Sequence, residues 1–461
     1  MSAETVKKEP SALFRWMVLL FISFAMFGNY YIYDSISPLA DLLSKQLHFS
    51  DSDIGLLNAI YSFPNIIMVL IGGIIIDKIG TRISVFIFTI LIMIGALITA
   101  VGGDIYVMAS GRLIFGLGAE SMIVAITTII ARWFKGKELS FAFGLNLTLA
   151  RLGSFLALNS PSWGRGLYTY WQSPLWITVG AGIFALICII VYYFMDAYAS
   201  KNFEIKKEGK QEKIVFKEIF SFGKSFWFIT ALCVTFYSAM FPFQTFAIKY
   251  FQEAHGTTRE VGGNLSSMLT LAAMIFTPLF GLYADRVGKR SLLMMLGSLL
   301  IIPVYLIMAY KIDLLAPFGI GGVISINLDF FDIHSQIPIY LLVPMSIMGL
   351  SFSLIPAIMW PSVALVVKES KLGTAYGLMT MIQNIGLFGF NLLIGFANDI
   401  SGASAMNPSG YNLGMWIFSS LGFFGLLFAL LLRIHETGPG GHGLEKGIKK
   451  KKGDLSVEPS T

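Results

Sequence analysis

Two short stretches of similar sequence decide the fold predicted for this chain. They read Gly73-Ile-Ile-Ile-Asp77-Lys78-Ile-Gly80-Thr-Arg82 and Gly281-Leu-Tyr-Ala-Asp285-Arg286-Val-Gly288-Lys289-Arg290. The shared pattern, Gly-x-x-x-Asp-(Lys/Arg)-x-Gly-x-Arg, occurs once in each half of the chain. Glycine permits a tight turn and close packing of helices, and an acidic side chain is stabilised near a helix N-terminus. The repetition predicts two related halves, each with an equivalent turn.

The composition predicts that both halves lie in a membrane. Hydrophobic residues make up 55% of the 461 residues and charged residues 13%, and the mean hydropathy is +0.72. A soluble protein has about 25% charged residues, so this chain lacks the polar side chains needed to cover a water-facing surface. The composition excludes a soluble enzyme, a disordered chain and a nucleic-acid-binding domain. We expect no enzymatic activity, catalytic residue or cofactor, and no metal site.

The apolar stretches predict twelve membrane-spanning helices. A helix needs about 20 apolar residues to cross the hydrocarbon core. Ten charge-free stretches are long enough, the eighth of them over residues 333–367, and two more carry one charge each, Glu120 or Arg151. We predict an all-α membrane protein with two pseudo-symmetric bundles of six helices. The predicted units are a first bundle at 1–195, a linker at 196–224, a second bundle at 225–433 and a basic tail at 434–461.

The distribution of Lys and Arg predicts the orientation. If the N-terminus is cytoplasmic, most basic residues lie in inner loops, as the positive-inside rule requires. The net charge of +6 then reflects topology, with the lipid bilayer as the partner and no nucleic acid. Both termini are expected to be cytoplasmic in this multi-pass protein. The basic residues left for the outer loops are Lys45, Arg165, Lys249, Arg259 and Lys311.

The two charges within predicted spans are the main candidates for a binding site. Glu120 and Arg151 fall near the membrane midplane on consecutive antiparallel helices. A charge at this depth needs a partner or a water-filled cavity. The two side chains either form a buried salt bridge or face a cavity and bind the opposite ends of a zwitterion, with an amine at Glu120 and a carboxylate at Arg151. The sequence leaves both alternatives open.

Other polar residues in the spans also have two interpretations. Arg112 either takes part in coupling or donates to backbone carbonyls of neighbouring helices, and Asp34 lies at the outer mouth as a gate or as a solvated helix end. Gln383 could line a cavity or join helices by a hydrogen bond. Trp360 precedes a proline that permits a bend useful for gating or only a packed kink.

The repeated motif resembles the hallmark loop of the major facilitator superfamily. Two further runs, Trp133-Phe-Lys-Gly-Lys-Glu-Leu139 and Leu372-Gly-Thr-Ala-Tyr-Gly377, resemble the lysosomal dipeptide uniporters within it. This resemblance implies alternating access with the substrate near the midplane, and dipeptide contacts at Glu120 and Arg151. It also makes Tyr30, Tyr33, Trp360 and Gln383 cavity residues. The implied gating residues are Gly73, Asp77, Arg82, Gly281, Asp285, Arg286 and Arg290, with Arg112 and Asp34 in structural or coupling roles.

Some features depart from the lysosomal pattern. An insertion occupies residues 311–337, and Asn-x-Ser/Thr sites occur only at Asn146 and Asn264, in or near helices. We therefore expect the cell (inner) membrane rather than the lysosomal membrane, and the sequence does not support an accessory membrane subunit. The proton-coupled signature Glu-x-x-Glu-Arg is not seen in the first helix, which favours uniport. The alternatives are a proton-coupled carrier of another small organic anion or metabolite, and a non-transporting membrane receptor.

Overall fold

Twelve long helices form the described part of the protein. The computed structural model describes residues 9–134, 138–203, 222–328 and 333–446. Within these residues eleven helices are individually long and apolar enough to cross a membrane, and a helix that bends between Val69 and Ile71 brings the number to twelve. The helices are α1 (Ala12–Asp34), α2 (Asp51–Ile79), α3 (Thr81–Val101), α4 (Ile105–Phe134), α5 (Leu139–Leu158), α6 (Gln172–Asn202), α7 (Lys224–His255), α8 (Arg259–Val287), α9 (Arg290–Ala309), α10 (Ile339–Val366), α11 (Leu372–Ile400) and α12 (Asn412–Thr437).

The predicted span at 333–367 is wrong at its N-terminal end. The strand β1 (Val323–Leu328) pairs antiparallel with β2 (Ile333–Pro338), and α10 begins only after Pro338. A run without Asp, Glu, Lys or Arg need not be apolar, and this one begins with a strand that contains the uncharged polar residues His334, Ser335 and Gln336. The absence of charge alone therefore cannot distinguish a strand from a spanning helix. The insertion at 311–337 therefore contributes a β-hairpin to an otherwise helical protein.

Two predicted ends of the bundles differ from the ends of the helices. Helix α6 continues to Asn202, beyond the expected end of the first bundle at residue 195, and α12 continues to Thr437, beyond residue 433. Most of the predicted linker, residues 204–221, and the basic run Lys449–Lys452 lie outside the described residues.

The repeated motif makes equivalent turns in the two halves. Gly80 ends α2 with φ of 83°, and Gly288 ends α8 with φ of 70°. L-residues with a side chain rarely adopt this left-handed region, so glycine is the residue that permits each turn. The tight turn predicted from the two glycines is present in both copies. Each turn leads directly into the next spanning helix.

The two bundles pack against each other along two helix pairs. Helix α2 contacts α11, and α5 contacts α8. Buried apolar side chains form one large cluster centred on each bundle, and the cluster of the second bundle also includes Ala40 and Ile54 of the first. This arrangement leaves the faces of α1, α4, α7 and α10 that point between the bundles free to form a central site.

The segment after α12 folds back onto the second copy of the motif. The carbonyl of Leu444 accepts a hydrogen bond from the amide of Arg290 at 3.2 Å, and the Leu444 side chain is 0% exposed. The Glu445 carboxylate accepts from the amide of Ser291 at 3.2 Å. These contacts satisfy amide groups that the first turn of α9 leaves without intrahelical partners. Residues 438–446 thus cap α9 and hold it to the end of α12.

The position of α5 depends on a close contact with α1. A Cβ atom built on Gly153 would lie 2.2 Å from the carbonyl oxygen of Phe27. Only glycine permits this close approach of α5 to α1. The contact fixes the position of Arg151, which lies two residues earlier in α5.

Replacing Gly153 by leucine is expected to force α5 away from α1. Overpacking of this kind costs about 1–3 kcal/mol, so the thermal unfolding midpoint of the detergent-purified protein should fall. Gly144→Leu is the matched control, because a Cβ on Gly144 would meet no atom within 4 Å. Equal midpoints for the two variants would contradict the proposed role of the contact.

Candidate functional site

A cavity of about 230 Å³ lies between the two bundles. One wall comes from α1, α2, α4 and α5, and the other from α7, α10 and α11. All six residues predicted to bind substrate line it. They are Tyr30, Tyr33, Glu120, Arg151, Trp360 and Gln383.

The Arg151 guanidinium is held between two aromatic rings. Its Cζ atom lies 5.6 Å from the ring centroid of Tyr30 and 5.6 Å from that of Phe352. Such contacts orient the planar group while leaving its N–H donors directed along the plane. No described carboxylate lies within 4.0 Å of it. The guanidinium is therefore available to an anionic group in the cavity.

Glu120 faces the same cavity and has a neutral neighbour. The hydroxyl of Tyr61 donates to its carboxylate over 3.4 Å, and the Tyr61 ring packs against Tyr33 at 4.8 Å between centroids. No described cation forms an ion pair with Glu120. Glu120 and Arg151 do not form a salt bridge in this conformation. A buried salt bridge was one of the two interpretations that the sequence left open.

The opposite wall contains Tyr237, which the sequence did not indicate as a site residue. The indole N–H of Trp360 donates to the hydroxyl of Tyr237 at 2.9 Å. Tyr237 stacks on Phe241 with centroids 5.5 Å apart. Gln383 accepts a hydrogen bond from the Cys233 thiol at 3.5 Å and also lines the cavity. Tyr237 carries no sequence signal that separates it from the other aromatic residues of α7.

Arg112 lies outside the cavity and joins three helices. Its guanidinium donates to the carbonyls of Ile32, Tyr33 and Leu57 at 3.1, 3.2 and 3.1 Å, and to the side-chain oxygen of Asn58 at 3.0 Å. The side chain is fully enclosed by these partners. The geometry matches the structural alternative, in which Arg112 donates to backbone carbonyls.

Asp34 also lies outside the main cavity. It borders a small space between α1, α2 and α7, together with Ser37, Asn58, Gln244 and Thr245. Asp34 is the last residue of α1, at the helix ends opposite the termini, and both sequence interpretations of it stay open.

Polar contacts join the two bundles at the helix ends opposite the termini, on the side that the sequence predicts to be the outer side. Asp51, at the start of α2, forms an ion pair with Lys249 of α7, and its carboxylate accepts from the side-chain amide of Asn398 at 2.8 Å. Asp399 of α11 accepts from the backbone amide of Asp51 at 2.9 Å. A second ion pair joins Asp41 to Arg259 at 2.6 Å. We call the contacts of Asp41 and Asp51 with the second bundle the outer closure.

The motif arginines, at the opposite ends of the helices, contact partners within their own bundles. Arg82 lies 3.9 Å from Asp196, and Arg290 lies 2.5 Å from Asp285. A Cβ on Gly281 would meet no atom within 4 Å. The close packing expected of this glycine is therefore absent in the conformation described. Gly73 and Asp77 lie in α2, and Arg286 lies in α8 with Gly281.

Comparison with known proteins identifies the family. The model of the Major Facilitator Superfamily matches residues 19–328 and 243–457. The chain belongs to the major facilitator superfamily. It is therefore a multi-pass membrane transporter and not an enzyme, and the predicted all-α fold is confirmed.

Individual relatives agree with this assignment. The lysosomal dipeptide transporter MFSD1 of Danio rerio is 31% identical over 404 residues, which cover 85% of this chain and 82% of the relative. The protein of the same name from Homo sapiens is 31% identical over 409 residues, covering 86% and 82%. The crystal structure of the nucleoside transporter NupG superposes with a TM-score of 0.68 at 13% identity, covering 91% of this chain and 98% of that one. The likeness to NupG concerns the fold alone.

Proposed function

We propose that this protein transports dipeptides across the membrane by alternating access, as a uniporter. The observation that carries the proposal is that Glu120 and Arg151 line one cavity without forming an ion pair with each other. A zwitterion can neutralise both charges at once, with its amine at Glu120 and its carboxylate at Arg151. The similarity to the dipeptide transporters named above supports the substrate class.

The chemistry of the two groups suits the ends of a peptide. An arginine donates two parallel N–H bonds to a carboxylate, and these are among the strongest hydrogen bonds in proteins. Glu120 can accept from a protonated amine. Both contacts involve backbone groups that every dipeptide has, so recognition would tolerate many side chains. Tyr30, Tyr33, Trp360 and Gln383 complete the proposed site.

The outer closure supports alternating access. A transporter must open to one side at a time, and the outer side is closed here by ion pairs and hydrogen bonds between the bundles. Opening requires the bundles to rock and break these contacts. In this proposal the motif residues Gly73, Asp77, Arg82, Gly281, Asp285, Arg286 and Arg290 control the inner side, and Gly281 has the free surface that a new contact needs.

Uptake into proteoliposomes tests the proposal. We expect the purified protein to exchange a radiolabelled dipeptide across the bilayer, and unlabelled dipeptides to compete. An N-acetylated or C-amidated dipeptide should compete at least about ten-fold less well, because each lacks one charge-assisted contact. Equal competition by the capped peptides would contradict recognition by Glu120 and Arg151.

The second candidate is a proton-coupled carrier of another small organic anion or metabolite. It is favoured by one observation, that Glu120 has no described cationic partner and could carry a proton. Uniport predicts that collapsing a pH gradient with an ionophore leaves the initial dipeptide uptake unchanged. Uptake of an organic anion that needs the gradient, with no uptake of dipeptides, would favour the carrier.

The cellular location is also a proposal. The named relatives are lysosomal by name, whereas the position of the Asn-x-Ser/Thr sites, in or near helices, favours the cell (inner) membrane. The distribution of Lys and Arg favours cytoplasmic termini. Site-specific labelling of cysteines introduced at either terminus, in intact cells, would test the orientation.

A further inference from the structure

A second cavity adjoins the first on its inner side. It has a volume of about 480 Å³ and lies between α5, α8 and α10. Three residues line both cavities: Arg151, Tyr237 and Trp360. Because Trp360 and Tyr237 are joined by a hydrogen bond and Arg151 is held between Tyr30 and Phe352, these side chains form a defined boundary.

The two cavities differ in chemistry. The first contains Glu120, Gln383 and Asn384 as well as Arg151. The second is lined largely by apolar side chains, and among its described lining residues only Arg151 is charged. Its apolar lining includes Leu147, Ala273, Met274, Phe352 and Pro356. We call the first the polar cavity and the second the apolar cavity.

The volume of the polar cavity limits what it can hold. Pockets for small ligands usually measure about 300–1,000 Å³, and the polar cavity at about 230 Å³ falls below this range. A peptide backbone can occupy it, but a large side chain needs space elsewhere. The apolar cavity, which is within the usual range, is the adjoining space.

We propose that the apolar cavity is the subsite for the side chain of the C-terminal residue of a dipeptide. This inference rests on the proposed function. The carboxylate and the side chain of that residue are attached to the same Cα atom. When the carboxylate binds Arg151 at the boundary, the side chain is therefore within reach of the apolar cavity. Glu120 lines only the polar cavity, so the N-terminal side chain stays in the smaller space.

The transporter consequently distinguishes dipeptides by the order of their residues. Alanyl-leucine and alanyl-phenylalanine place the large apolar side chain in the apolar cavity, whereas leucyl-alanine and phenylalanyl-alanine place it in the polar cavity. We expect the first pair to compete for uptake about ten-fold better than the second, as burial of a leucine-sized side chain allows.

A substitution in α8 tests the assignment of the subsite. Met274→Trp fills the apolar cavity, and it should lower the uptake of alanyl-leucine about ten-fold more than it lowers that of alanyl-alanine. Leu282→Trp is the matched control on the same helix, since Leu282 is 57% exposed and lines neither cavity. Thr277→Leu, which reduces the same cavity by less, serves if Met274→Trp does not fold.

Each outcome separates the subsite from the proposed function. Loss of the order preference in Met274→Trp but not in Leu282→Trp supports the subsite. If alanyl-alanine is transported and both residue orders compete equally, the subsite is wrong and dipeptide transport stands. If the order preference persists unchanged in the cavity-filling variants, the C-terminal side chain binds elsewhere in the protein and the subsite assignment is wrong. If no dipeptide is transported, the proposed function fails, and the subsite fails with it.

Discussion

Replacing Arg151 by lysine is expected to reduce dipeptide uptake by at least about ten-fold without preventing folding. Lysine keeps the positive charge but has neither the planar fork that binds a carboxylate through two hydrogen bonds nor the stacking surface held between Tyr30 and Phe352. A charged hydrogen bond contributes about 1.5–3 kcal/mol, which corresponds to ten-fold or more in affinity. The measurement is initial uptake into proteoliposomes, together with thermal stabilisation of the protein by dipeptide.

A matched substitution shows whether the loss of uptake is specific to Arg151 or follows from replacing any arginine by lysine. Arg165→Lys changes an arginine in an outer loop, where the side chain is 77% exposed and pairs with Glu260. Exposed ion pairs contribute little, so uptake should remain near that of the parent protein. Normal uptake by Arg151→Lys would show that the carboxylate does not bind at this guanidinium.

Glu120→Gln should change selectivity as well as rate. The amide retains the shape of the side chain but loses the negative charge that attracts a protonated amine. Uptake of free dipeptides is expected to fall, and N-acetylated dipeptides should then compete about as well as free ones. If free dipeptides keep their advantage in this variant, the amine binds at another group.

Removing Lys249 is expected to open the outer closure. Its ammonium group is the cationic partner of the buried Asp51 carboxylate. Loss of one partner from a buried ion pair costs about 3–5 kcal/mol, because the remaining charge is left uncompensated. Lys249→Met therefore destabilises the outward-closed conformation relative to one in which Asp51 is hydrated, and it shifts the population accordingly.

Cysteine labelling from the outer side measures this shift. Gln244 borders the small space near Asp34, beneath the outer closure. We expect Gln244→Cys, in a protein with Cys188 and Cys233 replaced by alanine, to react at least about ten-fold faster with an impermeant maleimide when Lys249→Met is added.

Two further variants control for the loss of a positive charge and for the negative charge left on Asp51. Lys45→Met removes an exposed lysine that pairs with Asp41, and it should leave the labelling rate almost unchanged. Adding Asp51→Asn to Lys249→Met removes the uncompensated charge and should reverse part of the increase. Equal labelling of all variants would show that the Asp51–Lys249 pair does not hold the outer side closed.

Most of the fold could be predicted because membrane helices have a strong compositional signal. Charge-free runs located the spanning helices, and the repeated motif indicated two halves. The error at 333–338 arose because His334, Ser335 and Gln336 are polar but uncharged, so a charge-free run includes them. The pairing of β2 with β1 identifies this segment as a strand. That pairing is a tertiary contact across the insertion, which the hydropathy of one segment does not contain.

The candidate site could be predicted only in part. Glu120 and Arg151 stand out because charges are rare at membrane depth. Tyr237 and Phe352 could not be singled out, since they are aromatic residues in apolar helices with many similar neighbours. The role of Arg112 was undecided because its acceptors, the carbonyls of Ile32, Tyr33 and Leu57, belong to two other helices. The outer closure could not be predicted either, because it depends on which helix ends lie together in the folded protein.

The folded segment after α12 has a practical consequence for attaching purification tags or fluorescent reporters. A fusion placed directly after Thr437 would displace Leu444 from its buried position and remove the Glu445 contacts from the start of α9. The second copy of the motif, which ends at Arg290, would then lose the hydrogen bond that its backbone amide donates to Leu444. A reporter joined beyond residue 446 leaves these contacts intact, and it reports on the transporter with its inner turn still capped.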